Sequence, residues 1–262
     1  MSFFNPNKTF IIAEIGNNHE GDVKLASELI RLASNAGADA VKFQTIDPLK
    51  LVSPTDTSRI QQLNKFQLSN DDYHYLHSVA TEIGIIFLST PFSPDAVNFL
   101  SHLVPAYKIS SGDLTYSHLL QCVANTGKPI VLSTGMSTKN EVQEAISTIT
   151  DVWSKTTSSG ELCLLHCVSS YPAPLDQVNL SCLKTLSEFG YPVGYSDHTL
   201  GNNACVAAVA LGAQVIEKHF TISHTYLDFR DHQLSADPSE LDSLVKSIRQ
   251  VETLKGQDSK KV

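Results

Sequence analysis

Two histidines, His198 and His219, each stand two residues after another polar residue, where a short apolar segment ends. Neutral imidazoles suit Mn, Fe, Co or Zn, and a glutamate or a water can complete such a shell. Side chains two apart on a strand point the same way, so Ser196 shares a face with His198. Glu217 shares a face with His219 and could orient substrate or move a proton. Either histidine alone is more typical of a hydrogen-bonded interior residue, but two at the same end of neighbouring parallel strands predict a metal site.

Two lysines, Lys42 and Lys108, each follow an apolar residue inside a segment of strand length. A lysine buried there is costly unless it is paired. Serine and threonine hydroxyls at neighbouring strand ends would add directional donors to the two charges, an arrangement that suits a phosphate or a carboxylate. Ion pairing of the lysines to Glu14 or Glu217 is the alternative, and the two interpretations are compatible.

Other candidates carry weaker signals. Asp231 follows the last strand-like segment, where it could recognise substrate hydroxyls or lie in a solvated turn. Tyr171 begins a proline-rich turn that could hold its ring over a ligand, although turn chemistry alone also explains the prolines. His19 and His166 suit hydrogen bonding inside a barrel as well as they suit catalysis.

Apolar segments of strand length alternate eight times with segments of helix length. This alternation predicts parallel strands, and eight units in 262 residues favour an α/β fold of the (β/α)8 TIM-barrel type, with residues 1–262 as a single domain. The predicted strands are Phe10–Ile15, Asp39–Thr45, Ile85–Thr90, Ala106–Ser111, Pro129–Thr134, Glu161–Val168, Pro192–Tyr195 and Gln214–Ile216. The predicted helices are Val23–Asn35, Asn70–Glu82, Pro94–His102, Ser117–Asn125, Lys139–Ile149, Leu180–Phe189, Asn203–Leu211 and Pro238–Thr253.

Three stretches show neither the strand pattern nor the helix pattern. Asp47–Lys65 is long for a connection and predicts a loop that acts as a lid or a partner contact. Ser154–Gly160 predicts a surface turn, and Lys255–Val262 a frayed tail.

Polar residues stand at the ends of all eight predicted strands, where barrel enzymes carry their chemistry. In chain order they are Glu14; Lys42 and Gln44; Ser89 and Thr90; Lys108, Ser110 and Ser111; Ser133 and Thr134; His166 and Ser169; Ser196 and His198; and Glu217 and His219.

Composition narrows the class of protein. Hydrophobic content of 42% and charged content of 18% are typical of a soluble globular protein, and no apolar run approaches a membrane span. The first residues do not resemble a signal peptide, so a cytoplasmic location is expected. The formal charge of −8 disfavours nucleic acid and anionic membranes as partners. Five cysteines without a Cys-x-x-Cys pair predict buried reduced thiols, and Cys163 and Cys167 lie too far apart on a strand to chelate one zinc.

Eight motifs together resemble the sialic acid synthase family, which includes N-acetylneuraminate, legionaminate and pseudaminate synthases. The resemblance runs in order from about residue 9 to residue 253. The motifs are Ala-Glu-Ile-Gly-Asn-Asn-His-Glu-Gly at 13–21, Ala-Val-Lys-Phe-Gln-Thr at 40–45, Phe-Leu-Ser-Thr-Pro-Phe at 87–92, Tyr-Lys-Ile-Ser-Ser-Gly-Asp at 107–113, Leu-Ser-Thr-Gly-Met at 132–136, Leu-His-Cys-Val-Ser-Ser-Tyr-Pro at 165–172, Gly-Tyr-Ser-Asp-His-Thr at 194–199 and Glu-Lys-His-Phe at 217–220.

The resemblance implies a metal-dependent condensation of phosphoenolpyruvate with an N-acetylated aminosugar, giving a nine-carbon 2-keto sugar acid and phosphate. By motif, His198 and His219 would hold a divalent ion, most simply Mn2+, with Mg2+ or Co2+ as alternatives. Glu14, Glu217 and Asp231 would act on the sugar and water as catalytic residues. The expected substrate-binding residues are Lys42, Gln44, Thr90, Lys108, Ser111, Ser133, Ser169, Tyr171 and Ser196.

Typical members of the family continue into a small C-terminal antifreeze-like domain that supplies an arginine to the sugar in the neighbouring subunit. The sequence ends at Val262, so a barrel without that domain is expected, with Arg230, a residue of Asp47–Lys65 or a separate chain in the place of the arginine. The barrel is expected to form a homodimer by analogy. Condensation with a different aldose, or binding of phosphoenolpyruvate without turnover, are the competing functional hypotheses.

Overall fold

Eight parallel strands form one sheet in the computed structural model, which describes residues 3–5, 7–156, 160–227 and 229–256. The strand order is β3-β2-β1-β8-β7-β6-β5-β4, and β3 and β4, at the two ends of this order, lie in contact. The sheet therefore curls into a nearly closed barrel, as predicted. The strands are β1 Phe10–Gly16, β2 Ala40–Thr45, β3 Ile86–Pro91, β4 Tyr107–Ile109, β5 Ile130–Ser133, β6 Leu162–Cys167, β7 Val193–Asp197 and β8 Val215–His219.

Helices follow the strands and cover the outside of the barrel. Side-chain caps define several of their starts, among them the reciprocal capping boxes that Ser69, Thr138 and Asp237 form with the residue three positions on. The helices are α1 Val23–Asn35, α2 Pro48–Leu51, α3 Thr57–Asn64, α4 Asn70–Ile83, α5 Pro94–Leu100, α6 Ser117–Ala124, α7 Lys139–Lys155, α8 Cys182–Ser187, α9 Asn203–Ala210, α10 Arg230–Leu234 and α11 Pro238–Lys255.

The two faces of the strands bury different partners. Outward side chains such as Ile11, Val41 and Ile216 pack against the helices in the large apolar layer. Inward side chains at the amino ends of the strands, such as Ile12, Leu88 and Val131, form a smaller apolar cluster that Phe4 joins. This cluster fills the lower half of the barrel, so only the carboxyl ends of the strands are left for chemistry.

The alternation of side chains carries polar residues into the upper half of the same interior. Glu14 lies two residues beyond Ile12, and its register partners are Lys42 on β2 and His219 on β8. Ser196 on β7 pairs with Glu217 on β8. The strand register therefore places the predicted site residues of four neighbouring strands in a polar layer two levels deep, because Glu217 pairs with Ile12 and His219 with Glu14.

Gly16 ends β1 with an irregularity that opens space for this layer. The register of β1 against β2 shifts between Glu14 and Gly16, where the backbone takes a φ of 54°. A Cβ atom at Gly16 would lie 3.2 Å from Glu14 Oε1 and 3.3 Å from Gln44 Nε2. These two atoms belong to a hydrogen bond of 2.8 Å, so the glycine lets the chain turn without disturbing it.

Several predicted boundaries were wrong. β7 and β8 continue to Asp197 and His219, because their polar inward residues remain in the parallel ladder instead of ending it. The stretch Asp47–Lys65 contains α2 and α3 rather than a loop alone, and Asp231 lies on α10 rather than in a loop. The helix predicted to end at Ile149 runs to Lys155, where Trp153 donates from Nε1 to the Ala124 carbonyl.

Two predicted irregular stretches fall partly outside the described residues. Ser154 and Lys155 belong to α7 instead of a turn, and residues 157–159 are not described. Lys255 is the last residue of α11, and residues 257–262 of the expected tail lie outside the description.

All five cysteines are unpaired, as expected, but the prediction that they are buried is correct for only three of them. Cys163, Cys167 and Cys205 are buried, whereas Cys122 and Cys182 are half-buried. Among the helices of the described residues, none is both long and apolar enough to cross a membrane.

Candidate active site

One cavity of about 420 Å3 opens at the carboxyl ends of the strands. All fourteen residues predicted as catalytic, substrate-binding or metal-binding line it. They are Glu14, Lys42, Gln44, Thr90, Lys108, Ser111, Ser133, Ser169, Tyr171, Ser196, His198, Glu217, His219 and Asp231.

Lys42 forms the centre of a buried ionic network at the floor of the cavity. Its Nζ lies 2.6 Å from Glu14 Oε2 and 3.7 Å from Glu217 Oε2. The same ammonium group donates to Thr90 Oγ1 at 3.0 Å. Ion pairing of Lys42, proposed from the sequence as the alternative to ligand binding, is therefore present, and Lys42 still lines the cavity.

Lys108 supplies a second positive charge on the other side of Glu217. Its Nζ lies 3.6 Å from Glu217 Oε1 and donates to the Ile109 carbonyl at 3.1 Å. Ser196 donates to the same carboxylate oxygen at 2.8 Å. Two lysines and one hydroxyl therefore surround the Glu217 carboxylate. Serine and threonine hydroxyls line the rest of the wall, and this combination suits a bound anion.

The two carboxyl groups have opposite pKa shifts. Burial raises the pKa of Glu14, and the neighbouring Glu217 acts in the same direction, although Lys42 opposes both. Burial also acts to raise the pKa of Glu217, but the charges of Lys108 and Lys42 outweigh it and lower the value to about 2. The two opposite shifts favour the charged form of Glu217 and the protonated form of Glu14.

The two histidines lie together at one side of the cavity. Their ring centroids are 5.5 Å apart, and His198 Nδ1 donates to the Val168 carbonyl at 2.6 Å. This bond leaves Nε2 of His198 as the acceptor nitrogen. Burial lowers the pKa of both imidazoles, and for His219 the neighbouring His198 adds to the effect. Both rings are thus neutral near pH 7, which is the form that binds metals.

This geometry fits a divalent ion. Two imidazoles bound to one ion at about 2.1 Å place their ring centres roughly 5 Å apart. A backbone carbonyl that fixes the tautomer of a metal-binding histidine is a common supporting contact. Among the described residues, the three-ligand group whose donor atoms already lie within 4.8 Å of one another is elsewhere, at His224, Asp237 and Glu240. Asp237 and Glu240 form the capping box of α11, so their carboxylates already serve the helix start.

Tyr171 and Asp231 line the outer part of the cavity. The Tyr171 ring lies over His198 with centroids 4.1 Å apart, and burial raises the pKa of its hydroxyl. Asp231 stands on α10 at the same opening. Arg230 is one of the expected substitutes for the arginine, and its side chain lies outside the described part of the structure.

Arg59 is the arginine of the segment Asp47–Lys65. It is the residue of Asp47–Lys65 that reaches the cavity, on the exposed face of α3, and its Nη1 donates to Gln62 Oε1 at 2.6 Å. Phe66, the residue after this segment, packs against the connection that follows β8, because its ring centroid lies 4.8 Å from that of Phe229.

Several lining residues were absent from the predicted site. Cys167 was interpreted only as a buried thiol, although it lies two residues beyond the inward-facing Leu165 and so shares its face. The others gave no comparable signal, since they lie beyond the strand ends; they are Asn17, Arg59, Phe92, Gly112 and Met136.

Other buried polar residues have structural partners. His19 Nδ1 accepts from the Gly21 amide, and His166 Nε2 donates to the Val178 carbonyl, so hydrogen bonding explains both histidines. Lys218 and Asp197 form a buried pair at 2.6 Å. Neither these two nor the two histidines are among the residues that line the cavity.

The protein is a nearly closed parallel barrel with two lysines, two carboxylates and two neutral imidazoles at the carboxyl ends of its strands. This combination is typical of barrel enzymes that act on anionic substrates. The NeuB family profile matches residues 29–260, and the chain belongs to the NeuB family. It is therefore an enzyme of the sialic-acid synthase type, as the motifs predicted.

Relatives support this assignment along almost the whole chain. An N,N'-diacetyllegionaminic acid synthase of Legionella pneumophila is 43% identical over 96% of this chain and 74% of its own length. An uncharacterized protein of Methanocaldococcus jannaschii is 46% identical over 96% of this chain and 73% of its own length. The crystal structure of an N-acetylneuraminic acid synthetase from Leptospira borgpetersenii superposes with a TM-score of 0.92 at 34% identity, covering 98% of this chain and 88% of that one.

Proposed function

We propose that this enzyme condenses phosphoenolpyruvate with an N-acetylated aminosugar to give a nine-carbon 2-keto sugar acid and phosphate. The observation that carries the proposal is the buried Lys42 between Glu14 and Glu217, next to Lys108 and in the same cavity as two neutral histidines. The names of the relatives, which are synthases of sugar acids of this class, support the same reaction.

Lys42 and Lys108 hold the phosphate and carboxylate of phosphoenolpyruvate. Each lysine already shares Glu217, so the anion enters a site where positive charge is fixed in advance and no large rearrangement is required. Hydroxyl groups on the surrounding strand ends direct the anion, because they donate at defined angles where an ammonium group does not. Thr90, Ser111, Ser133 and Ser169 serve this role, and Ser196, whose hydrogen goes to Glu217, lines the same wall.

The reaction forms a bond between the enol carbon of phosphoenolpyruvate and the aldehyde carbon of the sugar. Water adds to the carbon that bears the phosphate, and one of its protons balances the proton that the aldehyde oxygen gains. The other proton leaves with phosphate as the carbon–oxygen bond to phosphate breaks and the 2-keto group forms. Glu14 moves the proton, because its pKa is raised by burial while Glu217 remains an anion beside the lysines. Holding both substrates at one barrel opening supplies the proximity contribution to the rate.

A divalent ion, which we propose is Mn2+, would be held by His198 and His219. It would supply Lewis-acid polarisation of the aldehyde oxygen. The chain's own contribution is to present two neutral nitrogens: burial keeps the rings uncharged, and the Val168 carbonyl orients His198. Tyr171, over the ring of His198, closes this side of the cavity.

Asp231, Gln44 and Arg59 form the part of the site assigned to the sugar. Gln44 donates to Glu14 Oε1 and so links the sugar side to the proton-transfer group. Asp231 and Arg59 both line the opening, where a hydroxylated acceptor would enter. We further propose that the enzyme is located in the cytoplasm and acts there as a homodimer. Size-exclusion chromatography with light scattering would test the homodimer.

Phosphate release across a panel of acceptors tests the function. Purified enzyme is incubated with phosphoenolpyruvate and Mn2+, together with mono- and di-N-acetylated aminosugars or with unmodified tetroses, pentoses and hexoses. We expect phosphate release only with the N-acetylated acceptors, and mass spectrometry should detect the corresponding sugar acid. Turnover with plain aldoses alone would replace the proposed acceptor class, and tight binding without phosphate release under any acceptor would identify a binding protein.

A further inference from the structure

Three polar side chains converge on Gly135 at one corner of the cavity. A Cβ atom at this glycine would lie 2.6 Å from Ser169 Oγ, 2.7 Å from Cys167 Sγ and 2.9 Å from Ser111 Oγ. These distances are too short for a real Cβ atom, so any side chain here would displace the group. Two hydroxyls and a thiol from the ends of β4 and β6 therefore meet over the bare backbone that follows β5.

The hydrogen bonds of Ser111 indicate what this group does. Ser111 Oγ accepts from the Gly135 amide at 2.9 Å, and Cys167 Sγ lies 3.0 Å from the same oxygen. A serine hydroxyl has two lone pairs and one hydrogen. If the thiol donates, the amide and the thiol occupy both lone pairs, and the single O–H hydrogen remains for a group in the cavity.

The opposite direction, in which Ser111 donates to sulfur, is the weaker arrangement when an anion is present. Sulfur is a poor acceptor, whereas an anionic oxygen makes a short and strong bond to a hydroxyl. Ser133 is buried in the same wall, and its Oγ has no hydrogen-bond partner among the residues described. Its hydroxyl is therefore a second donor available to a group in the cavity. A buried hydroxyl without a partner indicates a bound group that completes it.

We propose that Cys167 is a positioning residue that directs the Ser111 hydroxyl towards the bound anion, with Gly135 leaving the space that this contact needs. The inference rests on the proposed function, since the anion is taken to be phosphoenolpyruvate. Cys167 touches Ser111 and acts through it, so it is not itself assigned a chemical step. Neither Cys167 nor Gly135 was predicted from the sequence to belong to the site.

Substitutions of Cys167 separate the donor from the volume of the side chain. Cys167→Ser keeps a donor, Cys167→Val keeps the volume without a donor, and Cys167→Ala removes both. Because Cys167→Val and Cys167→Ala each lose one hydrogen bond, we expect them to raise the KM for phosphoenolpyruvate roughly three- to tenfold. The KM of Cys167→Ser should stay within about twofold of the wild-type value. The acceptor KM should be unchanged in all three. Cys122→Ala is the matched control, because Cys122 is a half-buried thiol on α6 that does not line the cavity.

Gly135→Ala tests the second part of the proposal. The added methyl group must displace Ser111, Cys167 or Ser169, so phosphoenolpyruvate binding should fall more than in Cys167→Ala. Thermal unfolding of each variant shows whether it is folded. Equal KM values for Cys167→Ala, Cys167→Val and wild type would overturn the proposal, and so would a Cys167→Ser enzyme as weak as Cys167→Ala.

Calorimetric titration with phosphoenolpyruvate and with inorganic phosphate separates this proposal from the proposed function. Wild-type enzyme that binds either anion more tightly than Cys167→Ala, but releases no phosphate with any acceptor, would support the positioning role and reject the synthase reaction. Normal turnover with unchanged anion binding in Cys167→Ala and Cys167→Val would do the reverse. Wild-type enzyme that binds neither anion would reject both.

Discussion

Lys42 and Glu14 form an ion pair of 2.6 Å in which both side chains are almost completely buried. The pair lies across the parallel register of β1 and β2, where Glu14 and Lys42 are direct partners. Such pairs gain little net stability over an apolar pair, but removing one member leaves a buried charge behind. The pair is therefore better explained by the chemistry of the cavity than by folding.

Lys42→Met should impair both stability and function. Glu14 and Glu217 would lose their shared cation, and we expect a loss of about 3–5 kcal/mol in the free energy of unfolding at pH 7. Glu14 can reduce this cost by taking up a proton, so the difference from wild type should shrink as the pH falls. Urea unfolding at several pH values measures both effects.

Lys139→Met is the matched control for that variant. Lys139 Nζ also lies 2.6 Å from a carboxylate, Glu188 Oε2, but both side chains are more than half exposed. Exposed pairs contribute little, so its unfolding should match that of wild type. A Lys42→Met protein as stable as this control would contradict the buried-charge argument.

His219→Ala should abolish metal-dependent turnover without unfolding the protein. The variant removes one of two neutral nitrogens, so Mn2+ binding followed by electron paramagnetic resonance should weaken by roughly a hundredfold or more. Chelation of wild-type enzyme with EDTA should reproduce the loss of activity, and added Mn2+ should reverse it. His118→Ala is the control, since His118 is exposed on α6 and lies outside the cavity. Full Mn2+-dependent activity in His219→Ala would remove His219 from the site.

His19 should make stability depend on pH in the acidic range. Burial lowers its pKa from 6.5 to about 4, so between these values the unfolded chain binds more protons than the folded one. Stability from this group is complete above pH 6.5 and is lost as the pH falls towards 4, by about 3 kcal/mol in total.

A variant isolates that contribution. His19→Gln keeps a side-chain acceptor that can reach the Gly21 amide, which His19 Nδ1 accepts at 3.0 Å, but it cannot titrate. The difference in unfolding free energy between wild type and variant should therefore decrease from pH 7 to pH 4. A constant difference across this range would show that His19 does not titrate as inferred.

Strand periodicity explains why so much of the site could be predicted. Inward positions follow period two, so an apolar residue such as Ile12 at the bottom of a strand implies that Glu14 also faces inward. The same rule, applied consistently, would have placed Cys167 beside Leu165. A buried thiol is also an ordinary core residue, so the residue type of Cys167 alone gives no sign that it faces the cavity.

The segment with Arg59 could not be predicted in the same way. Helix α3 has one buried residue, Leu63, so no apolar stripe marks it as a helix in the sequence. Its position depends on contacts distant in sequence, including Phe66 with Phe229. A Cβ atom at Gly21 would lie only 2.2 Å from the carbonyl oxygen of Lys65, so no side chain fits there. A glycine thus allows the segment to lie against the β1–α1 connection, and no local pattern reports that approach.

Arg59→Ala should affect the sugar acceptor more than phosphoenolpyruvate. Arg59 stands at the exposed opening of the cavity, whereas Lys42 and Lys108 lie buried at its floor. We expect the KM for the acceptor to rise roughly tenfold, in line with loss of one charged hydrogen bond, with little change in the KM for phosphoenolpyruvate. Arg59→Lys keeps the charge but loses the planar pair of donors, so it should restore activity only in part. Arg31→Ala, an exposed arginine on α1 that does not line the cavity, is the control. The two substrates enter through the same opening, so the separate KM values are needed to show which substrate the guanidinium contacts. A rise in the KM for phosphoenolpyruvate alone would assign Arg59 to the anion instead of the sugar.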